Sequence, residues 1–250
     1  MNRHSPYASA DTPALPLHLL DREGYAAWRA VQPEAVSAWL DAQAFVPSPG
    51  TVALLPGAAG IAGAVCGIGD RLDPCSYAHA PLALPPGAWV PAGELSSEAL
   101  AALQLGWGLG SYRFERYKAA PRAPAQLQLP QLDAEALDLL QASARVRDWV
   151  NTPSQDMGPQ HLEAAARDLA AAHGAQVEVV TGDDLLARNF PAIHAVGRAS
   201  HRAPRLIELH WGDTAHPHVV IVGKGVCFDT GGLDIKPADG MRNMKKDMGG

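Results

Sequence analysis

Between Gly223 and Gly250 the sequence reads GKGVCFDTGGLDIKPADGMRNMKKDMGG, with Lys224, Asp229 and Lys236 inside 13 positions and Asp247 beyond them. Asp229 and Asp247 offer hard oxygen donors, and a lysine amine can complete a cation's ligand set once a divalent ion lowers its pKa. Gly223, Gly225, Gly231 and Gly232 allow close backbone approach or positive φ. Two specific chemistries suit this composition. One is a divalent-metal centre on Lys224, Asp229 and Asp247. The other is a kinase-like phosphate-binding turn on Asp229-Thr230-Gly231-Gly232. For any one of these residues the plain alternative is an ordinary Lys–Asp ion pair in a glycine-rich loop.

The phosphate reading lacks its usual companions. Such a turn belongs near the start of a chain and needs a second acidic, Gly-rich turn. A Walker loop fails as well, since His218 stands five positions before Gly223 and Gly225 follows the lysine. Nor is there a His-Glu-x-x-His helix or a Gly-x-Ser-x-Gly elbow. His194, His201, His216 and His218 are read as structural, Cys227 as a small apolar residue, and Lys245-Lys246 as a solvated face.

The segment from Val222 to Gly250 resembles the leucyl aminopeptidase family of two-metal exopeptidases. So do Arg147–Pro153 (RDWVNTP), Pro159-x-x-Leu162 and Ala195–Leu209 (AVGRASHRAPRLIEL). The resemblance is close from about Arg145 onward and looser over the first 120 residues. It implies that Lys224, Asp229 and Asp247 are metal ligands, with Asp229 bridging the two ions. It implies further that Lys236 is the catalytic lysine that stabilises the oxyanion, and that Met244 lines the pocket for the substrate's first side chain. The cofactors implied are two divalent ions, zinc or manganese, with magnesium also compatible. The reaction implied is removal of the N-terminal residue from peptides with a free N-terminus, through a hydroxide activated by the two metals. A cytoplasmic homo-oligomer, a hexamer, is implied too.

The family's second ligand segment, Asn-Thr-Asp-Ala-Glu-Gly-Arg, does not occur in these 250 residues. With Asp229 and Asp247 as the only charged ligands, two doubly charged ions are short of oxygen donors. The expectation is therefore an N-terminal portion of a longer aminopeptidase, inactive by itself. A non-catalytic remnant serving as a binding or assembly module is the alternative.

The elements that must position these residues fall into two textures. Residues 1–125 read as a shortened N-terminal α/β domain, and residues 126–250 as the start of an incomplete α/β catalytic domain with a mixed, largely parallel sheet. In the first part, Thr51–Leu55 and Ile61–Cys66 read as strands joined by a Pro-Gly turn, and Glu34–Phe45 as a helix. Ser96–Trp107 reads as a helix capped by Ser96 or Ser97 and ended by Gly106, Gly108 and Gly110. Ala119–Pro130 reads as an inter-domain linker. In the second part, helices are predicted over Asp133–Val150 and from Pro159 to Gly174, with a helical turn at Asp183–Ala187 and helix over Met241–Asp247. Strands are predicted at Gln176–Val180, Arg205–Trp211 and His218–Val222, the last as a run buried on both faces whose end carries the motif.

Composition sets outer limits. Twenty basic against 26 acidic residues give a net charge of −6, which excludes a protein whose main task is gripping nucleic acid. Three cysteines make no disulfide framework and point to a reducing compartment. The uncharged stretch from Thr51 to Gly69 is broken by Pro56 and five glycines, so no membrane partner is expected.

Overall fold

The computed structural model describes residues 5–250, which form two compact units, one up to Arg145 and the other from Val146 to Gly250. The first unit is built on a five-stranded sheet. Its strands are β1 (Ala14–Leu20), β2 (Val52–Gly57), β3 (Gly60–Gly67), β4 (Ala88–Pro91) and β5 (Gln126–Leu127), in the order β2-β3-β1-β4-β5. Only the β2–β3 hairpin is antiparallel; the other pairings are parallel. The α/β class read from the sequence holds. Residues alternate between faces, as strand geometry requires. Val65 packs with Ala53 and Leu55 on one side, and Ala64 and Cys66 pack with Leu17 and Leu19 on the other.

Helices α1 (Arg22–Ala30) and α2 (Glu34–Ala42) supply Tyr25, Trp28, Val36 and Leu40 to the first face. The short helix α3 (Ala80–Ala83) and the long α4 (Ser97–Ser111) supply Ala80, Leu103 and Trp107 to the second. Helix α4 is capped as predicted, with Ser96 Oγ accepting from the Ala99 amide at 3.2 Å. It does not stop at its glycines, however. A Cβ at Gly106 would run into the Pro74 carbonyl, and one at Gly110 into the Ala78 carbonyl. These glycines let α4 lie against the 3-10 turn Pro74–Ser76 and the residues after it, and that packing outweighs the helix-breaking tendency of glycine.

The predicted linker is also corrected. Ala125 and Leu127 are fully buried, and Leu129 is nearly so. The backbone from 125 to 128 bonds to Pro81, Gly87, Pro6 and Trp89. Prolines gave the segment its linker texture, but its alternating apolar residues complete the sheet and its core.

The second unit starts within α5 (Ala134–Asn151) and continues with α6 (Pro159–His173), β6 (Gln176–Thr181), α7 (Asp184–Ala187), α8 (Pro191–Gly197) and β7 (Arg205–His210). Gly174 closes α6 in the left-handed conformation at φ 68°. Strands β6 and β7 form an antiparallel pair that packs on α6. The largely parallel sheet therefore lies in the first unit, while the second unit's sheet is a two-stranded antiparallel one. His218–Val222 is not a strand. Its residues pair with no strand among those described, and Ile221 and Val222 are 91% and 90% exposed. A continuous apolar run becomes a buried strand only where a neighbour supplies the ladder, and here none does. No helix of the described residues is long and apolar enough to cross a membrane.

Candidate metal centre

The motif residues leave the exposed run as an irregular loop that ends in α9 (Ala238–Met241) and a 3-10 turn at Met244–Met248. The predicted helix over Met241–Asp247 is thus divided. The loop folds on itself around Asp229. One carboxylate oxygen, Oδ1, accepts the Gly231 amide at 2.9 Å, and the Lys236 amide donates to the Thr230 carbonyl at 2.9 Å. Gly231 and Gly232 sit at φ 90° and 70°, and a Cβ at Gly231 would meet the Asp234 carbonyl. The turn needs glycine there for both reasons.

That closure returns Lys236 to Asp229. The Lys236 ammonium lies 2.7 Å from Asp229 Oδ2, 3.2 Å from the Asp229 carbonyl and 3.0 Å from Met244 Sδ. Hydrogen bonds from Lys236 and from the Gly231 amide hold the Asp229 carboxyl below the usual aspartate range. A second pair joins Lys224 to Asp247, with Nζ 2.7 Å from Oδ1 and 3.2 Å from the Asp247 carbonyl. All five residues singled out from the sequence therefore meet in two clusters, Asp229–Lys236–Met244 and Lys224–Asp247. The Lys224 charge is also felt at Asp229.

The same geometry weakens the phosphate reading. A phosphate-binding turn presents free amides to its ligand. Here the Gly231 amide donates to Asp229's own carboxylate and the Gly232 amide to Thr230 Oγ1. Cys227 is equally unsuited to nucleophilic work, because burial pushes its thiol up from the ordinary value despite Arg202 and Arg205 nearby.

Several supports were not among the site residues read from the sequence. The Lys245 ammonium donates to the Val150 carbonyl at 2.7 Å, tying the 3-10 turn to the end of α5 rather than lying idle in solvent. Arg202 donates to the carbonyls of Ser154 and Gln155, both at 2.6 Å, and so fixes the turn that leads into α6. Glu163 on α6 receives Arg167 at 2.8 Å and Arg205 of β7. Arg202 and Arg205 lie within the Ala195–Leu209 block, which was the available signal, but their partners are distant in sequence.

Glu163 gives a test of that framework. Removal from water pushes its carboxyl up, yet hydrogen bonds from Arg167 and Arg205 outweigh this and hold it below the usual glutamate range. Glu163→Gln is expected to lower unfolding free energy by about 1–2 kcal/mol at neutral pH, between exposed and buried ion pairs. Because the folded pKa is depressed, the contribution is full above the ordinary glutamate pKa and fades as pH falls through the lowered one. Urea unfolding of both proteins at pH 7 and pH 3 checks this; an equal difference at the two pH values contradicts it.

In donor type the cluster fits a divalent cation: two carboxylates, each held beside a positive charge, and one amine. In donor number it is sparse. Among the described residues no group of three or more His, Cys, Asp or Glu side chains comes together.

The chain is similar to known proteins over most of its length. Residues 144–250 match the catalytic domain of the cytosol aminopeptidase family, and residues 15–130 match the M17 aminopeptidase N-terminal domain. A probable cytosol aminopeptidase of Rhodococcus opacus (strain B4) is 37% identical over 183 residues, which is 66% of this chain and 36% of the relative. The crystal structure of cytosol aminopeptidase from Coxiella burnetii superposes with a TM-score of 0.88 at 37% identity, over 98% of this chain and 54% of that one. The bottromycin maturation enzyme BotP, solved in complex with Mn, superposes with a TM-score of 0.70 at 27% identity, over 94% of this chain and 53% of that one. The chain thus spans about a third of the length of the curated relatives it matches.

Proposed function

Because this chain belongs to the M17 cytosol aminopeptidase family, we propose that it forms part of a metal-dependent aminopeptidase that removes N-terminal residues from peptides. The unit up to Arg145 is the N-terminal domain, and the unit from Val146 begins the catalytic domain. The observation that carries the site is the convergence of Lys236 on Asp229 and Met244 beside the Lys224–Asp247 pair.

Lys224, Asp229 and Asp247 would hold the divalent ions, zinc or manganese, and the complex of BotP with Mn supports manganese. Bound divalent ions would supply Lewis acidity toward the peptide carbonyl and a partner for the free α-amine. The Lys236 side chain would face the negative charge that develops on the carbonyl oxygen, so its effect would be larger in the transition state than in the ground state. Met244, flexible and polarizable, receives the side chain of the first residue. Need of a free amine restricts cleavage to the N-terminus. The relatives' names support a cytoplasmic location, and the resemblance supports a homo-oligomer.

The test uses protein made from the whole open reading frame in which this sequence lies. It should hydrolyse leucine p-nitroanilide, lose activity to a chelator, regain it with Mn²⁺, and leave N-acetyl-leucine p-nitroanilide intact. Equal turnover of the acetylated substrate would refute an aminopeptidase. The 250-residue chain alone should show no turnover, since two carboxylates are too few for two divalent ions. Metal-dependent turnover by that chain, abolished in Asp229→Ala, would contradict the donor count.

A further inference from the structure

We infer that Lys236 has a second task, as the resident counter-cation of Asp229 that a divalent ion must displace. The inference rests on the metal reading above and concerns the loop before any metal arrives. An ammonium has three N–H donors. Around Lys236 they meet three acceptors: Asp229 Oδ2 at 2.7 Å, the Asp229 carbonyl at 3.2 Å and Met244 Sδ at 3.0 Å. The ammonium is thus fully satisfied at the carboxylate proposed to bind metal. Its carbon stem is anchored locally, because the Lys236 amide closes the loop on the Thr230 carbonyl.

Two consequences follow from charge alone. Without metal, Lys236 holds the Asp229 carboxylate in place and the loop closed, so the binding carboxylate does not have to be ordered when a cation arrives. With metal, two positive charges compete for one carboxylate, and Lys236 must swing away from Oδ2 or share it. An ammonium and a divalent ion about 4 Å apart repel by about 2 kcal/mol in water and by more near a protein surface. Lys236 and Asp229 are 30% and 42% exposed, so the water end of that range applies. The amine released from Oδ2 is then free to meet a substrate oxygen. The same residue would therefore set metal affinity in the resting protein and act on substrate in the loaded one.

The experiment titrates Mn²⁺ into protein made from the whole reading frame in which this sequence lies and follows free Mn²⁺ by electron paramagnetic resonance. Lys236→Gln keeps a hydrogen-bond donor and removes the charge, and should tighten Mn²⁺ binding about thirtyfold, the ratio that corresponds to ~2 kcal/mol. Lys246→Gln removes the same charge from the same segment and should change affinity less than twofold. Asp229→Asn should abolish the binding and tests the metal reading separately. If Asp229→Asn binds Mn²⁺ as the parent does, or neither the parent nor Lys236→Gln binds it, the metal reading fails and this inference with it. If Asp229 is required but Lys236→Gln binds no tighter than Lys246→Gln, or binds more weakly, the counter-cation role alone is overturned. Circular dichroism of each variant confirms that the loop change has not unfolded the chain.

Discussion

Asp229→Asn is expected to lower kcat/KM for leucine p-nitroanilide on the order of a thousandfold in protein made from the whole reading frame. Asparagine has the shape of aspartate and retains Oδ1 as acceptor for the Gly231 amide, so the turn through Gly231 and Gly232 can persist. What disappears is the negative charge. The oxygen now facing Lys236 becomes a neutral amide group, and the proposed ion-binding cluster keeps only one carboxylate, Asp247. Asp229 is 42% exposed, so global stability should be nearly unchanged, as for other exposed pairs. Metal content by elemental analysis should fall together with activity. A variant that keeps its metal and turns over within tenfold of the parent would remove Asp229 from the ligand set.

Trp107→Ala should cost about 3–5 kcal/mol of unfolding free energy, the range for emptying a large aromatic site in a core. Trp107 is completely buried on α4, and its indole Nε1 donates to the Ala125 carbonyl at 3.1 Å. It packs in one cluster with Leu17, Leu19, Tyr77, Trp89, Leu103 and Leu127. The substitution therefore opens a cavity and also leaves the Ala125 carbonyl without its indole donor. Trp107→Phe separates the two effects, since it fills most of the space and cannot donate. It should cost about 1–2 kcal/mol. Guanidinium unfolding monitored by near-ultraviolet circular dichroism measures both. A loss below about 1 kcal/mol for Trp107→Ala would mean that the 125–129 segment is not held through this residue.

Segment 125–129 shows where reading along the chain loses power. Pro121, Pro124 and Pro130 mark it as irregular, and that inference is sound for an isolated peptide. Its core role depends on β4 and α4, which are remote in sequence, and on the Pro6 and Tyr7 backbone. Gly106 and Gly110 show the opposite error. Glycine is a poor helix former locally, yet α4 passes through both because the carbonyls of Pro74 and Ala78 leave no room for a Cβ. His218–Val222 is a third instance: its composition suits a strand, but pairing requires a partner, and composition does not specify one.

The candidate site divides in the same way. Lys224, Asp229, Lys236, Met244 and Asp247 were identifiable because their residue types and spacing sit in one continuous motif. Their pairing was not. Which lysine faces which aspartate depends on the closure of the loop at Thr230 and Lys236 and on the seating of the 3-10 turn through Lys245 on Val150. The sequence by itself determined what is local: the Ser96 cap, the Gly174 stop, the hairpin, the two-part α/β texture and the identity of the residues with chemical potential. These follow from backbone preference, side-chain capping and periodicity, which act over a few residues. The tertiary structure alone decided which apolar segments are core and which are exposed, which glycines serve close packing, and which ammonium neutralises which carboxylate. Burial and Coulomb energy depend on separation in space, and the chain brings Lys245 to Val150 and Trp107 to Ala125 only when it folds.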